Sequence, residues 1–350
     1  TVNAMFQIMP VPGDWHDDNY INNEALANPS RNFYFKNITF NSDNKAGTSL
    51  NFWAVSDVVF ENCTFYGATG LQEVHIGAWS NNFWARGCTF KGTADHALIW
   101  DGTHGSGILN CSFENNINAS VQIVFLSNDD CTRDVIDDGD NYGTWQPEEI
   151  RLGNYIVVEG NTFGVNSSSG KVAVASSARN ILVKNNIMLT GAYRFYEIGP
   201  RCTQMTHTYD MPGYNYNFFD NRIVGNVVQG NLTEFVNIKS NPNTNCTGSQ
   251  TGWYQVRGNV TGSVTNDFVA EDAASGNPIV GNNIVCGNCI NSPDCEPNSY
   301  YNCEIPEPSY ENLGCYTTAG PTYYLDVSNG NDANSGTAPN EAWETFEYAV

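Results

Sequence analysis

The chain has 350 residues and is acidic, with 37 Asp and Glu against 15 Lys and Arg and a formal charge of −22. Because phosphate binding needs clustered cationic side chains, this charge argues against a nucleic-acid partner. Aromatic residues at 13% and hydrophobic residues at 41% can fill a core, which argues against disorder. No apolar run is long enough to span a membrane, so we expect no membrane-spanning segment.

Asparagine and glycine are unusually frequent, with 48 Asn and 32 Gly. Both tolerate the left-handed backbone conformation of tight turns, so their excess predicts regularly repeated turns. A six-residue pattern repeats accordingly: an apolar residue, any residue, Asn or Gly, usually Asn or Cys, any residue, and an apolar residue. Clear copies occupy 60–65, 85–90, 108–113 and 158–163, and weaker copies end at Phe40, Met188, Val224, Thr261 and Val285. The copies recur about every 25 residues, with longer intervals where loops are inserted.

Short alternating strands accompany this pattern, each ending at a Ser or Thr. When four strands are superposed on Ser56, Ser80, Thr103 and Ser127, one face becomes apolar, by the period of two that strands follow. That face contains Leu50, Phe52, Val74, Ile76, Ala97, Ile99, Val121 and Ile123. A unit this short cannot hold a strand–helix crossover, but it fits one coil of a parallel β-solenoid.

These coils resemble those of the right-handed parallel β-helix proteins, the pectate-lyase-like superfamily, over residues 33–286. The resemblance implies an all-β solenoid of about ten coils with ~25 residues each, inserted loops and a disulfide-rich C-terminal cap. It divides the chain into an N-terminal segment (1–32), the β-helix, a Cys- and Pro-rich cap or linker (287–320) and a C-terminal segment (321–350). The superfamily includes polysaccharide lyases, glycoside hydrolases, tailspikes and adhesins, so the fold alone does not choose a function.

The C-terminal segment is similar to the one that opens many such β-helices, where it supplies a first strand, a Gly-Asn-Asp turn and a short covering helix. The residues expected to make assembly contacts are Tyr323, Tyr324, Leu325, Val327, Trp343, Phe346 and Val350. Three interpretations are open: the start of a next β-helix in a longer chain, a tandem array, or donation of the segment to the first coil of another copy. Donation would build a head-to-tail polymer and cover an open solenoid end.

Three of the eleven cysteines follow the repeat. Cys63, Cys88 and Cys111 occupy the same position in three coils, so we expect them to stack about 5 Å apart as buried side chains. Asn161, Asn186 and Asn283 are expected to continue this stack.

The other cysteines indicate a disulfide framework and an oxidising compartment. Cys202 and Cys246 lie in two long insertions and are expected to pair, while a cluster after the last coil is expected to staple a cap. The cluster contains Cys286, Cys289, Cys295, Cys303 and Cys315, with Cys131 left to find a partner.

Eight N-glycosylation sequons agree with secretion: Asn37, Asn62, Asn110, Asn118, Asn166, Asn231, Asn245 and Asn259. Asn37, Asn62 and Asn110 fall at the coil turn, where the repeat itself demands this pattern. The sequons off that position are therefore the stronger indication of exposed acceptor sites.

The strand superposition predicts a polar outer face in the first coils. Glu73 and His96 are expected to be lateral neighbours, with His75 on the same face and Trp53 and Trp100 flanking them. A carboxylate–imidazole pair between indole rings suits a sugar-binding or proton-abstracting surface, since the rings stack on sugars and the pair acts as a general base. The alternative is a solvated sheet face with ordinary aromatic packing.

The catalytic motifs of pectate lyases and polygalacturonases are mostly missing from this chain. An acidic loop remains as a calcium candidate because carboxylates at this density suit a hard cation, although a solvated loop is the alternative. Its residues are Asp129, Asp130, Asp134, Asp137, Asp138 and Asp140. A weaker second candidate comprises Asp326, Asn329, Asn331 and Asp332.

Taken together, the sequence predicts a secreted, glycosylated parallel β-helix with a structural role, as a subunit of an extracellular filament or surface array. The alternative is a polysaccharide-active enzyme or carbohydrate-binding module that uses the face around Glu73, His75 and His96. We expect no cofactor other than calcium. The expected partners are copies of the chain, N-linked glycans and, in the alternative, a polysaccharide.

Overall fold

A computed structural model of the chain shows long, stacked parallel sheets. It describes residues 2–8, 30–52, 55–69, 72–76, 80–92, 96–101, 104–114, 119–124, 154–164, 172–176, 179–189, 192–198, 217–239, 250–252, 254–271, 279–280, 284–286, 288, 331, 333–335 and 337–341. Within these residues, 29 strands pair in parallel and a single 3-10 helix, Pro339–Glu341, is present. No helix in the described part has the length and apolar character that crossing a membrane requires.

Three long sheets run along the solenoid and are visited in the order A, B, C by successive strands. Sheet A contains β1 (Val2–Ile8), β4 (Ala46–Phe52), β7 (Gln72–Ile76), β10 (His96–Asp101), β13 (Ala119–Val124), β16 (Val172–Ser176), β19 (Ala192–Ile198), β23 (Leu232–Lys239) and β27 (Val264–Glu271). Sheet B contains β2 (Ser30–Lys36), β5 (Val55–Glu61), β8 (Asn81–Arg86), β11 (His104–Leu109), β14 (Asn154–Glu159), β17 (Arg179–Lys184), β21 (Arg222–Val224), β25 (Gln255–Arg257) and β29 (Ile284–Cys286).

The shorter strands complete each coil. Sheet C contains β3 (Thr39–Asn41), β6 (Thr64–Tyr66), β9 (Thr89–Lys91), β12 (Ser112–Glu114), β15 (Thr162–Gly164), β18 (Ile187–Met188), β22 (Val227–Val228) and β26 (Val260–Thr261). A small sheet D in the later coils contains β20 (Asn217–Phe219), β24 (Gln250–Gly252) and β28 (Ile279–Val280). Each strand pairs with its equivalent in the next coil, so the predicted all-β parallel β-helix is confirmed.

The solenoid begins earlier than the sequence pattern indicates. The segment 1–32 was expected to lie outside the repeat, but β1 pairs with β4, with Val2 opposite Ala46 and Ile8 opposite Phe52. β2 begins at Ser30, three residues before the expected start of the β-helix. The six-residue pattern missed β1 because β1 belongs to sheet A, whereas the pattern describes the passage from sheet B to sheet C.

Aromatic side chains stack along the interior of sheet C. Phe40, Phe65, Phe90, Phe113 and Phe163 are buried, and neighbouring rings in this row stack with centroids 5.2, 4.9, 4.8 and 5.0 Å apart. Each is the last apolar residue of a copy of the six-residue pattern, which explains why the pattern is strongest there. A fully buried Phe contributes about 1.5–3 kcal/mol, so this row is a large part of the core.

The predicted cysteine stack is confirmed. Cys63, Cys88 and Cys111 are free thiols and at most 3% exposed. Each sulfur lies 3.5–3.6 Å from a backbone carbonyl of the preceding coil, to which its thiol donates. The hydrogen bond with Cys111 and burial raise the pKa of Cys88 to about 12, so this thiol stays protonated at neutral pH.

Asparagines continue the same stack through the later coils. Asn161, Asn186, Asn226, Asn259 and Asn288 occupy it in order, and the first four are 0% exposed. The Oδ1 atom of each later member accepts from both the backbone N–H and Nδ2 of the member before it, at 2.8–3.0 Å. Each Nδ2 also donates to a backbone carbonyl of the preceding coil at 2.8–3.0 Å. We call these five residues and the three cysteines the Cys–Asn ladder.

The residue before each ladder member forms the turn between sheets B and C. Asn62 and Gly87, for example, have φ of 55° and 62°, in the left-handed region. The turn positions of neighbouring coils are stacked, and a Cβ atom on Gly87 would lie only 2.5 Å from Oδ1 of Asn62. Glycine therefore serves two purposes here, since it adopts the left-handed conformation and leaves room for the neighbouring carboxamide.

Two weaker copies of the pattern were assigned to the wrong residues. Val224 ends β21 of sheet B, and the residue in the sheet C row is Val228. Similarly, Val285 lies in β29, and Asn288 holds the ladder position expected for Asn283, which is outside the described residues. The pattern fits twice in each region because asparagines also occur at the start of the sheet B strands.

The ladder predicts a position-specific effect on stability. Asn186→Ala should lower the free energy of unfolding by about 1–3 kcal/mol, because the backbone N–H of Asn161 loses its acceptor and the carbonyl of Val158 its donor. Asn185→Gly is the matched control, since this neighbour is exposed and adopts φ of 53°. Urea unfolding measures both variants. Equal effects of the two substitutions would contradict the role assigned to the ladder.

Candidate functional site

The strand register separates the two residues expected to form the Glu73–His96 pair. In sheet A, His96 lies opposite Gln72, and Glu73 is flanked by Ser49 and Ala97. Four residues separate Ile76 from Asn81, the first residue of the next strand. Only three separate its partner Trp100 from His104, the residue that pairs with Asn81. Superposition on the terminal Ser or Thr therefore shifted this coil by one residue, so Leu98 rather than Ala97 aligns with Val74.

Glu73 faces the interior, and the prediction that it lies on the outer face is wrong. It is 0% exposed and occupies the register row of Ala97, Ala173, Phe195 and Phe235, which all belong to the hydrophobic core. Its carboxyl accepts from the Ser49 hydroxyl at 2.6 Å and from the backbone N–H of Ala68 at 3.1 Å. Burial raises the pKa of Glu73, and these two hydrogen bonds only partly oppose the effect.

The remaining members of the expected face are also dispersed. His75 is 7% exposed and its Nδ1 lies 2.9 Å from Oδ1 of Asn51. Trp100 lies opposite Ile76, in the row of the core residue Phe52, while Trp53 is outside the described residues. The proposed sugar-binding face of the first coils is therefore not assembled as expected.

A polar cluster does form farther along sheet A. It consists of Tyr193, Arg194, Glu197, Glu234 and Asn237, and we call it the Arg194 cluster. The Arg194 guanidinium donates through Nε to Glu234 and through Nη1 to Glu197, and its Cζ lies 4.6 Å from the centre of the Tyr193 ring. Asn237 Nδ2 donates to Oε2 of Glu234 at 2.8 Å.

This cluster occupies the two strand rows in which the sequence predicted a site. Arg194 and Glu234 lie in the register row of His96, and Glu197 and Asn237 lie in the row of His75. Sequence inspection missed the cluster because its two strands are 40 residues apart, separated by a long insertion. The useful signal would have been the charged and polar residues in β19 and β23, strands of an otherwise apolar core.

The cluster is largely desolvated. The side chains of Arg194, Glu197 and Glu234 are 15%, 20% and 11% exposed. Burial opposes the charge on Arg194, but its hydrogen bonds and attraction to the two carboxylates outweigh this and raise its pKa. Asn237 is 0% exposed, and its Oδ1 has no hydrogen-bond partner within the part of the chain that the structure describes. The cluster thus combines a guanidinium and two carboxylates that keep a small exposed fraction, whereas Asn237 is fully buried.

The predicted glycosylation sites have different outcomes. Asn37, Asn62, Asn110 and Asn231 are exposed. Asn259 is wrong as an acceptor in the folded protein, because it is buried and its Nδ2 already donates within the ladder. Asn118, Asn166 and Asn245 lie outside the described residues.

Several other predicted residues cannot be placed. Of the disulfide cysteines, Cys286 lies in β29 opposite Arg257. Outside the described residues are Cys131, Cys202, Cys246, Cys289, Cys295, Cys303 and Cys315, the acidic loop Asp129, Asp130, Asp134, Asp137, Asp138 and Asp140, and the assembly residues Tyr323, Tyr324, Leu325, Val327, Trp343, Phe346 and Val350.

The weaker calcium candidate is described only at Asn331. Its Oδ1 accepts from the N–H of Ala333 at 2.9 Å, which makes it a turn residue, while Asp326, Asn329 and Asp332 are outside the described residues. Across the described ranges, no three His, Cys, Asp or Glu side chains converge as metal ligands.

Comparison with known proteins adds two distant structural neighbours. No family model and no curated protein matches the chain. A mutant of the tailspike protein of E. coli bacteriophage HK620 aligns at 16% identity and a TM-score of 0.43, covering 67% of this chain and 36% of the tailspike. Another mutant of that tailspike, solved with a pentasaccharide, aligns at 14% identity and a TM-score of 0.32, covering 83% and 59%. The fold assignment rests on the strand pairing.

The burial of Glu73 predicts a pH effect on stability. A carboxyl whose folded pKa is raised stabilises the fold fully below its unfolded pKa, near 4.3 for Glu, and this contribution is lost as pH rises through the folded pKa. Glu73→Gln should therefore become more stable relative to the parent protein as pH rises from about 4 to 7. Denaturant unfolding across this range tests it. The exposed-face variant Glu114→Gln serves as control, and a constant difference between Glu73→Gln and the parent would contradict the assignment.

Proposed function

We propose that this protein is an extracellular parallel β-helix that binds polysaccharide through the Arg194 cluster. The observation that carries the proposal is the convergence of a guanidinium and two carboxylates, each still partly exposed, on adjacent coils. The exposed sequon Asn231, which lies off the coil turn, supports a secreted, glycosylated protein.

The chemistry of the cluster matches sugar hydroxyl groups better than an anion. A hydroxyl both donates and accepts, so it can use a carboxylate oxygen and a guanidinium N–H side by side. One cation and two carboxylates give the cluster a negative balance, as in the whole chain, and this disfavours polyanions. The proposed ligand is accordingly a neutral polysaccharide.

The proposal is for binding rather than cleavage. The alternative considered from the sequence used Glu73 and His96 as a proton-transfer pair, with His75 beside them. Glu73 is fully buried and faces the Ser49 hydroxyl, and His96 lies opposite Gln72. A general base must reach the substrate proton, so this pair does not support a polysaccharide lyase or hydrolase.

Arg194→Met should weaken polysaccharide binding by about 10- to 100-fold, the range expected when a charged hydrogen-bonding group is removed. Affinity electrophoresis in gels containing dextran, galactomannan or xyloglucan identifies the ligand, and calorimetry then measures the dissociation constant. Arg31→Met is the control, because Arg31 is exposed in β2, on another sheet. The proposal fails if the parent protein binds none of these neutral polymers, or if both variants bind like the parent.

Head-to-tail assembly through residues 321–350 is a second proposal, supported by the similarity of this segment to those that open such β-helices. Within the described residues, β1, β2 and β3 are the terminal strands of sheets A, B and C. In strand donation, the donated strand pairs with the outer edges of these strands. Such assembly would make the protein the subunit of an extracellular filament.

Deletion of residues 321–350 should abolish polymers seen by electron microscopy and light scattering, because the donated strand is removed. A synthetic peptide of the same residues should inhibit assembly of the full chain by occupying the open edge. Polymerisation that survives the deletion would rule out strand donation.

A further inference from the structure

A groove of about 320 Å³ lies where sheet C turns toward sheet A in the first coils. Its walls come from three register partners on neighbouring strands, Asn41, Tyr66 and Lys91. Its remaining lining residues are Asp43, Asn44, Gly67 and Gly92. The two glycines supply no side chain, so the space between the three larger residues stays open. A volume near 300 Å³ is at the small end of ligand sites and suits one compact residue of a larger ligand.

The groove is rich in hydrogen-bond donors. Oδ1 of Asn41 accepts from the backbone N–H of Asp43 at 2.8 Å, so the amide end of that side chain is the part a ligand can use. Lys91 Nζ lies 3.7 Å from Oε2 of Glu114, too far for a hydrogen bond, and its side chain is 53% exposed. Asn44 adds a second carboxamide at the rim of the groove.

The charged side chains of the groove differ in the distance to their ion-pair partners. Asp43 is paired with Lys45, whose Nζ lies 2.5 Å from its Oδ2. Among the described residues, the ion-pair partner of Lys91 is Glu114 at this longer distance, so Lys91 is the cation of the groove that a ligand anion can most easily engage. Tyr66 is half-buried beside it and provides an aromatic face of the kind that stacks on sugar rings.

We propose that this groove binds an acidic sugar residue, with the ring against Tyr66 and the carboxylate at Lys91 and the Asn41 amide. The site is distinct from the Arg194 cluster, which lies on β19 and β23 of sheet A and favours neutral hydroxyl groups. Among the described residues that line the groove, Asp43 has the only carboxylate, which is fewer oxygen ligands than a hard cation takes. The ligand is a single uronate residue of a glycan rather than a long polyanion, because the overall charge of −22 repels polyanions.

Saturation-transfer NMR with glucuronate and glucose as probes tests the site. The parent protein should bind glucuronate at least fivefold more tightly than glucose. Lys91→Gln should remove this preference, and Tyr66→Ala should weaken both sugars because both lose the ring contact. Lys36→Gln is the matched control, since Lys36 is similarly exposed but its Nζ is held 2.7 Å from Glu61.

The outcomes separate this proposal from the preceding one. Arg194→Met should leave glucuronate binding unchanged, and Lys91→Gln should leave binding of neutral polysaccharide unchanged. Equal binding of the two probes by the parent protein, or equal loss in Lys91→Gln and Lys36→Gln, would overturn the assignment. Circular dichroism and thermal melting of each variant confirm that the fold is retained, and an unfolded Tyr66→Ala is replaced by Tyr66→Leu.

Discussion

The turn between sheets B and C is the constraint on which the rest of the structure depends. In each coil two residues make this connection. The first has a left-handed backbone, and the second is Ile38 in the first coil and a member of the Cys–Asn ladder in the later coils. The ladder carboxamides are buried. The Nδ2 group of each has its hydrogen-bond acceptor only if the next coil has another Asn at the equivalent position. A buried unpaired amide is costly, so the ladder enforces the register of successive coils. Cysteine replaces asparagine in the first coils because a thiol can donate to the same carbonyl position and costs little when buried.

Variation is confined to the other corners of the solenoid. The long insertions all leave from the ends of sheet A strands, as after β13, β19, β23 and β27, whereas every connection from sheet B to sheet C keeps its two residues. Loops that join rigid strands are where binding sites commonly develop. The Arg194 cluster agrees with this, since it lies on β19 and β23, two of the strands that precede such insertions.

The fold was largely predictable because its main determinants repeat in the sequence. The Phe row, the cysteine stack and the left-handed turns recur at one spacing, so a single pattern identified them. Local changes in the spacing were not predictable. The connection after Trp100 is one residue shorter than the one after Ile76, so alignment on the terminal Ser or Thr placed Glu73 beside His96, whereas the strand register separates them. Asn259 shows a further limit, because the same triplet reads as a glycosylation site or as a ladder residue until its burial is known. The Arg194 cluster was not predictable, since its members meet only through pairing of strands from distant coils.

The most direct test of the ladder is hydrogen exchange of its side-chain amides, followed by NMR with selective labelling of asparagine. Carboxamides exposed to water exchange rapidly, but those of Asn161, Asn186, Asn226 and Asn259 are buried and donate two hydrogen bonds each. Their Nδ2 protons should therefore remain in deuterium oxide after that of the exposed Asn185 has been lost, and should exchange only when the coils open. Exchange of these four amides as rapid as that of Asn185 would contradict the account.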